Sequence, residues 1–388
     1  MAKTRKQVAI LLNLNCGFHR QIARGIAKYA GPHDTWLLSV AEHSAETVAA
    51  LIDWPGDGLI IDLDVRQVDQ AVSLFQGEVV GVGTVAPRVL KRLNISTVRT
   101  DDRTIAEWAA DHLLEQGLEQ FAYCGVSRPG RDHWATARRS AFCRRIAEHG
   151  RPCAIFAARY DAAQSWRDPQ SRLPQWLGRL PKPVGILACN DLQGRCVLEA
   201  CRRLDLRVPD EVAVIGVDND LLICALAMPP LTSVATGAEQ IGYRAAALLD
   251  QRMAGRLAGP QHLVVPPTCL VPRQSTDIAA IRDPIVSSAI RFIREHAAEE
   301  IGVADIARHA NVSQSTLETH FKHQLGRTVH AEVERVRLET ARRLLTTTRL
   351  PLEAIARQAG YSSAQYLSAV FRRRLGHAPG QLRNPPRQ

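Results

Sequence analysis

The chain carries six apolar runs rich in Val, Ile and Leu, separated by stretches with helical periodicity. The runs are Val8–Leu14, Gly58–Leu63, Val79–Val82, Phe121–Cys124, Val184–Ala188 and Val212–Val217, and helical patterns such as Arg103–Gln116 and Leu192–Leu204 lie between them. Strands buried on both faces have continuous apolar sequences, and strands alternating with helices are typical of parallel crossover connections. Residues 6–272 are therefore predicted to form an α/β fold with doubly wound parallel sheets, where ligands bind beyond the carboxyl ends of the strands.

The pattern changes near residue 280. A polar segment, 273–283, ends before Pro284, and the periodic stretches after it are all helical. A chain of 388 residues is long enough for two or three domains. We predict an α/β domain over 1–275, a linker over 276–284 and an all-α domain over 285–388.

The all-helical part contains an internal repeat. VADIARHANVSQSTLETHFKHQLG (303–326) and LEAIARQAGYSSAQYLSAVFRRRLG (352–376) align on the letters IAR. Each copy predicts a helix, a turn at Asn311 or Gly360 that tolerates a positive φ, and a Ser (Ser313; Ser362 or Ser363) that can cap a second helix. One such pattern can be an ordinary helical corner, but two in tandem indicate helix-turn-helix units that bind DNA.

The second helix of each unit is expected to expose side chains that read base edges in the major groove. These candidates are Gln314, Ser315, Thr316, Thr319 and His320 in the first unit, and Ser363, Gln365, Tyr366 and Ser368 in the second. Lys322 and the run Arg372, Arg373 and Arg374 lie farther along, where phosphate contacts are expected.

The charge distribution points to the same partner. Residues 279–388 hold 17 Lys and Arg against 10 Asp and Glu, whereas the other residues hold 32 against 29. Most of the net charge of +10 therefore belongs to the last quarter of the chain. A basic domain of this kind favours double-stranded DNA as its partner.

Residues 285–383 resemble the DNA-binding domain of the AraC/XylS family. The matching stretches are RVRLETARRLL (335–345), IARQAGYSSAQYLSAVFRRRLGHAPGQLR (355–383) and, more weakly, the first repeat. Leu367 and Leu382 stand where aromatic residues are common in that family. Both are expected to be packing positions, so the fold that the resemblance implies is unaffected.

Residues 6–272 are similar to the LacI/GalR regulators and the periplasmic sugar-binding proteins. The similarity rests on HLLEQG (112–117), RRSAF (138–142), VPDEVAVIGVDN (208–219) and PPLTSV (229–234). It implies a sugar site formed by Asp101, Arg138, Asn190 and Asp218, with Asp191 as a close alternative. Phe18 and Trp134 are further candidates for contact with a sugar ring, and His19, Arg20 and Asp64 are weaker ones.

The chemistry of these residues suits a polyol. A carboxylate or a guanidinium can bind two hydroxyls in a fork, and an aromatic ring can stack on the C–H face of a sugar. Each residue alone could be a solvated or capping side chain. As a set at successive strand ends, they favour a pocket.

The order of the two domains is the reverse of that in LacI relatives. Together with NLNCGFHRQIARGI (13–26) and HWATARRSAF (133–142), this order resembles pentose-operon regulators. The resemblance implies a homodimeric activator of pentose catabolism genes that responds to D-xylose or another aldopentose, with RNA polymerase as a further partner. A different carbohydrate or small-molecule effector is one alternative, because Thr236 replaces a Gln that is common in relatives. Action as a repressor is another.

Other classes of protein are disfavoured. No apolar run reaches the ~18 residues of a membrane helix, and the N-terminus lacks a signal-peptide pattern, so we expect a cytoplasmic protein. The nine cysteines form no close CxxC pair, which disfavours a metal site. GxSxG, P-loop and HExxH motifs are absent, so we expect no catalytic residue and no cofactor. A solute-binding protein of the periplasm is the other alternative, which a gel-shift assay distinguishes.

Overall fold

The computed structural model describes residues 5–33, 36–42, 45–51, 54–64, 68–126, 131–158, 172–277, 283–325, 327–348, 350–375 and 378–380. The chain divides into two compact units, Met1–Ile278 and Ala279–Gln388. Residues 278–282 of the predicted linker, and Leu382, lie outside the described residues.

The first unit contains two six-stranded sheets, each the centre of one lobe. In the first sheet, all strands are parallel to their neighbours. Its order is β2-β1-β3-β4-β5-β11, with β1 (Lys6–Leu11), β2 (Trp36–Ala41), β3 (Gly58–Asp62), β4 (Glu78–Val82), β5 (Ser96–Thr100) and β11 (His262–Val265). Helices α1 (Gly17–Ala30) and α10 (Ala238–Met253) cover one face, and α2 (Ala45–Ala50) and α3 (Val68–Leu74) the other; α4 spans Pro87–Leu93.

The second sheet has the order β7-β6-β8-β9-β10-β12. Its strands are β6 (Gln120–Val126), β7 (Cys153–Ala158), β8 (Val184–Ala188), β9 (Val212–Val217), β10 (Thr232–Ala235) and β12 (Cys269–Val271), of which β12 runs antiparallel to β10. Helices α5 (Asp102–Glu115) and α6 (His133–Glu148) cover one face, and α7 (Arg172–Arg179) and α8 (Asp191–Arg203) the other. A short helix, α9 (Leu221–Leu226), follows β9.

The chain crosses between the lobes three times. It passes from β5 into α5, from β10 into α10, and from β11 into β12. Strand order reverses between β1 and β3 in one sheet and between β6 and β8 in the other, which are the points where a doubly wound sheet opens a crevice for ligands. The predicted fold class is confirmed.

The second unit is built from helices. They are α11 (Pro284–His296), α12 (Val303–His309), α13 (Gln314–Leu325), α14 (Val329–Thr347), α15 (Leu352–Gln358) and α16 (Ala364–Leu375). One core unites α11 to α13 with the start of α14, and a second unites the end of α14 with α15 and α16. Nowhere in the described part of the chain is a helix both long and apolar enough to cross a membrane.

Candidate functional site

A buried ion pair joins two helices at the carboxyl ends of the strands in the first unit. Nε of Arg138, on α6, donates to Oδ1 of Asp102, the first residue of α5, over 3.0 Å. Arg138 is 3% exposed and Asp102 2%. The guanidinium also donates to the carbonyl of Cys189 over 2.6 Å and lies 4.8 Å from the centre of the Trp134 ring. Arg138 is thereby held in one orientation at the end of β8.

Asp218 follows directly after β9, close to the same guanidinium. Its φ of 107° lies in a region that L-residues rarely adopt, and Asn219 follows with a φ of 50°. Burial raises the pKa of Asp218 to about 8; the Arg138 guanidinium opposes this rise, and the neighbouring carboxylates of Asp191 and Asp102 contribute to it. Strained backbone and a raised carboxyl pKa are typical of functional sites.

The Asp191 side chain braces the loop that carries Asp218. Its carboxylate accepts hydrogen bonds from Ser233 Oγ over 2.5 Å and from the backbone amide of Asp220 over 2.7 Å. Burial raises its pKa to about 7. Because both oxygens are engaged, Asp191 holds the 218–220 turn in place.

Two other predicted residues serve as helix caps. Asp101 accepts from the amide and the hydroxyl of Thr104 at the start of α5, over 3.0 and 2.8 Å. Asn190 accepts from the amide of Gln193 at the start of α8 over 2.9 Å. N-caps of this kind fix where a helix begins. The carboxylate that reaches Arg138 is that of Asp102, which is not among the residues predicted for the sugar site.

A periodicity signal distinguishes Asp102 from Asp101. The buried residues of α5 are Asp102, Ile105, Ala106, Ala109, Ala110 and Leu113. Their spacing of three and four residues defines one helix face. Asp102 belongs to that face, whereas Asp101 precedes the helix.

The first lobe contributes polar groups from the first turn of α1 and from the end of β3. His19 Nε2 lies 3.5 Å from Oδ2 of Asp62, and the ring of Phe18 packs beside His19 with 5.5 Å between centroids. His19 Nδ1 and, at the second crossing, Thr236 Oγ1 are buried without a hydrogen-bond partner within the described ranges. Such buried polar atoms are uncommon in native proteins and call for a partner.

Side chains also tie the two lobes to each other. Asp64, after β3, accepts from the amide of Asp132 over 2.9 Å and from the indole of Trp134 over 3.2 Å. Arg20, in the first turn of α1, lies 3.3 Å from Asp220. The start of α1 and the loop after β3 thus contact loops of the second lobe.

The helix-turn-helix geometry predicted from the repeat is confirmed. Asn311 has a φ of 55° and Gly360 a φ of 80°. Ser313 Oγ accepts from the amide of Thr316, and Ser363 Oγ from that of Tyr366, both over 3.1 Å. Leu367, predicted to be a packing position, is fully buried, and so are, or nearly so, Leu317, Phe321, Val370 and Phe371.

The predicted base-reading residues differ in what they contact. Gln314, Ser315, Thr319, Gln365 and Tyr366 are exposed, and Thr316, Ser363 and Ser368 are partly buried. His320 instead pairs through Nδ1 with Asp283, whose other carboxylate oxygen caps the start of α11. Hydrogen bonding to His320 and to the helix amides lowers the pKa of Asp283 against an opposing effect of burial.

The basic residues that were predicted to contact phosphates fall into two groups, those in an ion pair and those exposed without one among the described residues. Arg373 and Arg374 both bind the carboxylate of Glu334, which lies on α14 and is 8% exposed. Lys322 and Arg372 are exposed, and no ion pair of either is seen in the part of the chain that the structure describes. The second recognition helix is therefore fastened to α14 through two of its three consecutive arginines.

The long helix α14 lies between the two helix-turn-helix motifs and bonds to the segment that follows α11. Its Arg337 donates to the carbonyls of Ala297 and Glu299 over 2.7 Å each. A Cβ at Gly360 would lie 2.2 Å from the carbonyl oxygen of Ala297, so only glycine fits this contact. Its positive φ adds a second reason for glycine.

No cluster of three or more His, Cys, Asp or Glu residues suited to a metal ion occurs among the described residues.

Comparison with known proteins finds family matches in both units of the chain. Residues 7–103 match a XylR N-terminal domain, residues 110–276 a periplasmic binding protein-like domain, and residues 306–385 a helix-turn-helix domain. The chain is 34% identical to the xylose operon regulatory protein of Escherichia coli (strain K12), over 99% of this chain and 98% of that protein. The protein of the same name from Haemophilus influenzae is 30% identical over 99% of both. Among solved structures, a xylose-binding transcription activator superposes with a TM-score of 0.79, 34% identity and 99% coverage of both chains.

Proposed function

Because the chain belongs to the family of xylose operon regulatory proteins, we propose that it activates pentose catabolism genes when D-xylose binds between the lobes of its first unit. Its second unit binds double-stranded DNA through two helix-turn-helix motifs. The protein acts as a regulator in the cytoplasm rather than as an enzyme.

The observation that carries the effector site is the charged group around Arg138. Arg138, Asp102 and Asp218 lie at the carboxyl ends of strands, where ligands of doubly wound sheets bind. Sugar hydroxyls both donate and accept, so one pentose can donate to a carboxylate while it accepts from a guanidinium. His19 Nδ1 and Thr236 Oγ1, which have no hydrogen-bond partner among the described residues, offer two further polar atoms for such a ligand.

Aromatic residues from both lobes border the proposed site. Trp134 already stacks with Arg138 and donates to Asp64, so its ring is fixed in position. Phe18 stands on the first turn of α1 in the other lobe. We propose that these rings contact the apolar face of the sugar. Asp101, Asn190 and Asp191 act mainly as braces, since their oxygens hold backbone amides.

The DNA-binding role is divided among the exposed residues of α13 and α16. Gln314, Ser315, Thr319, Gln365 and Tyr366 read base edges, and Lys322 and Arg372 contact phosphates. Helix α14 has 19 residues and is about 28 Å long. That length is close to the ~34 Å that separates successive major grooves on one face of DNA, so the two recognition helices suit adjacent grooves.

Coupling between sugar and DNA requires a difference in affinity between two states. The inter-lobe contacts of Asp64 and of Arg20 are available only when the lobes are close together. A sugar that bridges the lobes favours that closed state. We propose that closure changes how two copies of the chain present their DNA-binding units, and that the DNA-bound homodimer contacts RNA polymerase.

A calorimetric titration against D-xylose, L-arabinose, D-ribose and D-glucose tests the choice of effector. The proposal expects D-xylose to bind most tightly, with one site per chain. In vitro transcription from the promoter of a xylose operon then separates activator from repressor. If a different carbohydrate binds best, or if transcript yield falls on addition of sugar, the corresponding alternative replaces this proposal.

A further inference from the structure

A pair of cysteines lies outside both sites described above. The Sγ atoms of Cys143, near the end of α6, and Cys153, the first residue of β7, are 3.1 Å apart. Both thiols are reduced in the structure and partly exposed. A disulfide has a sulfur–sulfur length of about 2 Å, so the two sulfurs need to approach by only about 1 Å to bond.

The surroundings make the two thiols unequal. A hydrogen bond with Cys153 lowers the pKa of Cys143, and the guanidinium of Arg139 lowers it further, while partial burial opposes both. The same interaction and burial raise the pKa of Cys153. Cys143 is therefore the first of the two to become a thiolate, which is the nucleophilic form of cysteine.

The other described cysteines lack this combination of features. Cys124, Cys189 and Cys201 are fully buried, and burial raises the pKa of each. Cys269 is exposed, but no second cysteine is recorded beside it among the described residues. A thiolate that is accessible and has a second thiol within bonding reach is the arrangement found in redox-sensing cysteine pairs.

We propose that Cys143 and Cys153 form a peroxide-sensitive dithiol, in which Cys143 is attacked first and Cys153 completes a disulfide. The Cys143 thiolate attacks one oxygen of hydrogen peroxide, the O–O bond breaks, and the hydroxide that leaves takes up a proton to become water. Cys143 is then a sulfenic acid. The Cys153 sulfur displaces the sulfenic oxygen, which leaves as a second water. Two thiols are oxidised to one disulfide as one peroxide is reduced to two waters.

The disulfide would connect α6 to the edge strand β7. Helix α6 also carries Trp134 and Arg138 near its other end. An oxidised chain therefore has the helix that supplies Arg138 fixed to the rim of the second sheet.

Peptide mapping of the full-length protein tests the proposal. The reduced protein is treated with one to several equivalents of hydrogen peroxide, alkylated and digested with trypsin without reductant. Cleavage after Arg144 and Arg145 places the two cysteines on separate peptides. We expect these peptides to be recovered as one linked species, lighter than their sum by two hydrogen atoms, and to separate again on treatment with dithiothreitol.

Single variants test the order of events, with Cys269→Ser as the matched control. In Cys153→Ser, a dimedone-type probe for sulfenic acid should label Cys143, whereas in Cys143→Ser it should leave Cys153 unlabelled. Cys269→Ser should form the disulfide as the parent does. Circular dichroism confirms that each variant is folded. Recovery of Cys143 and Cys153 as free thiols under conditions that oxidise Cys269 would overturn the proposal. Equal labelling of Cys143 in the Cys153→Ser variant and of Cys153 in the Cys143→Ser variant would also overturn it.

Discussion

The guanidinium of Arg138 and the carboxylate of Asp102 form a 3.0 Å ion pair that is almost completely removed from solvent. Asp102 also accepts from the hydroxyls of Thr100 over 2.8 Å and Thr84 over 3.5 Å, so three donors among the described residues reach its carboxylate. Burial nevertheless raises the pKa of Asp102, and Arg138 is the largest influence that opposes this rise. Removal of either residue would therefore leave the other buried without its opposite charge.

Replacement of Arg138 by Ala should destabilise the first unit. It leaves the Asp102 carboxylate buried without its cation, a loss typically of ~3–5 kcal/mol. The double variant Arg138→Ala/Asp102→Asn should recover part of that loss, because it removes the unpaired charge. Urea unfolding followed by tryptophan fluorescence measures both. Arg144→Ala, which removes an exposed ion pair with Glu107, should cost less than ~1 kcal/mol. Equal losses at positions 138 and 144 would contradict this account of the pair.

The stability of the first unit should fall as pH rises from about 4 to about 8. Asp218 has a pKa of about 8 in the folded chain against 3.8 as its ordinary value, so the folded state holds a proton over this range that the unfolded state has lost. Unfolding free energy decreases with pH wherever the folded state binds more protons. Asp218→Asn should flatten the dependence, which urea unfolding at pH 5, 6, 7 and 8 measures. An unchanged slope in the variant would show that Asp218 does not carry this proton.

Replacement of Gln314 or Gln365 by Ala should relax sequence preference on DNA. Each glutamine is exposed at the start of a recognition helix and can pair with a base edge. The loss should be ~1–3 kcal/mol at one base pair and smaller on unrelated DNA. Competition binding against single-base variants of the operator measures this. Gln324→Ala, at the far end of α13, is the matched control and should leave preference intact. If the three variants behave alike, the reading faces of the helices are misplaced.

The consecutive arginines of α16 should have separable roles. Arg372→Ala should weaken binding to all DNA sequences and reduce the slope of affinity against salt by about 1, because one phosphate contact is lost. Arg374→Ala should instead lower the melting temperature of the second unit, since it removes a guanidinium from Glu334. Binding at several salt concentrations, with thermal melts of each variant, compares the two. A reversed pattern would assign the phosphate contact to Arg374.

The sequence predicts those parts of the fold that a single local pattern determines, such as a continuous apolar run or a helix cap. The six apolar runs correspond to β1, β3, β4, β6, β8 and β9, which are interior strands. The two helix-turn-helix motifs of the second unit follow from the sequence because two copies of one pattern constrain each other. Caps such as Ser363 and turns such as Gly360 follow from local backbone chemistry.

Strands of mixed polarity escaped prediction. β5 and β10 are interior strands, yet they carry buried Ser and Thr, most of whose hydroxyls bond to residues distant in sequence. Thr232 bonds to the carbonyl of Arg273, and Ser233 to Asp191. Likewise, the edge strand β2 exposes most of its residues. Only tertiary contacts show that such segments are strands.

In the candidate site, the structure separates residues of the same type that are adjacent in sequence. Arg138 and Asp218 do lie close together, whereas Asp101 caps a helix and the neighbouring Asp102 faces the guanidinium. Similarly, three consecutive arginines have the same sequence character, but Glu334 binds only two of them. Contacts between residues far apart in sequence decide these assignments.

The dependence of operator affinity on D-xylose concentration, in the parent and in Asp218→Asn, tests the central claim most directly. Sugar hydroxyls that donate to Asp218 favour its ionised form in the complex. A charged hydrogen bond to a hydroxyl is worth ~1.5–3 kcal/mol, and ~1.4 kcal/mol corresponds to tenfold in affinity. We therefore predict that D-xylose changes operator affinity in the parent, and that the variant needs about ten to over a hundred times more sugar for the same change. Sugar-free binding to the operator should be the same in both proteins. Identical sugar dependence in the two proteins, or no response to any aldopentose in the parent, would contradict the account.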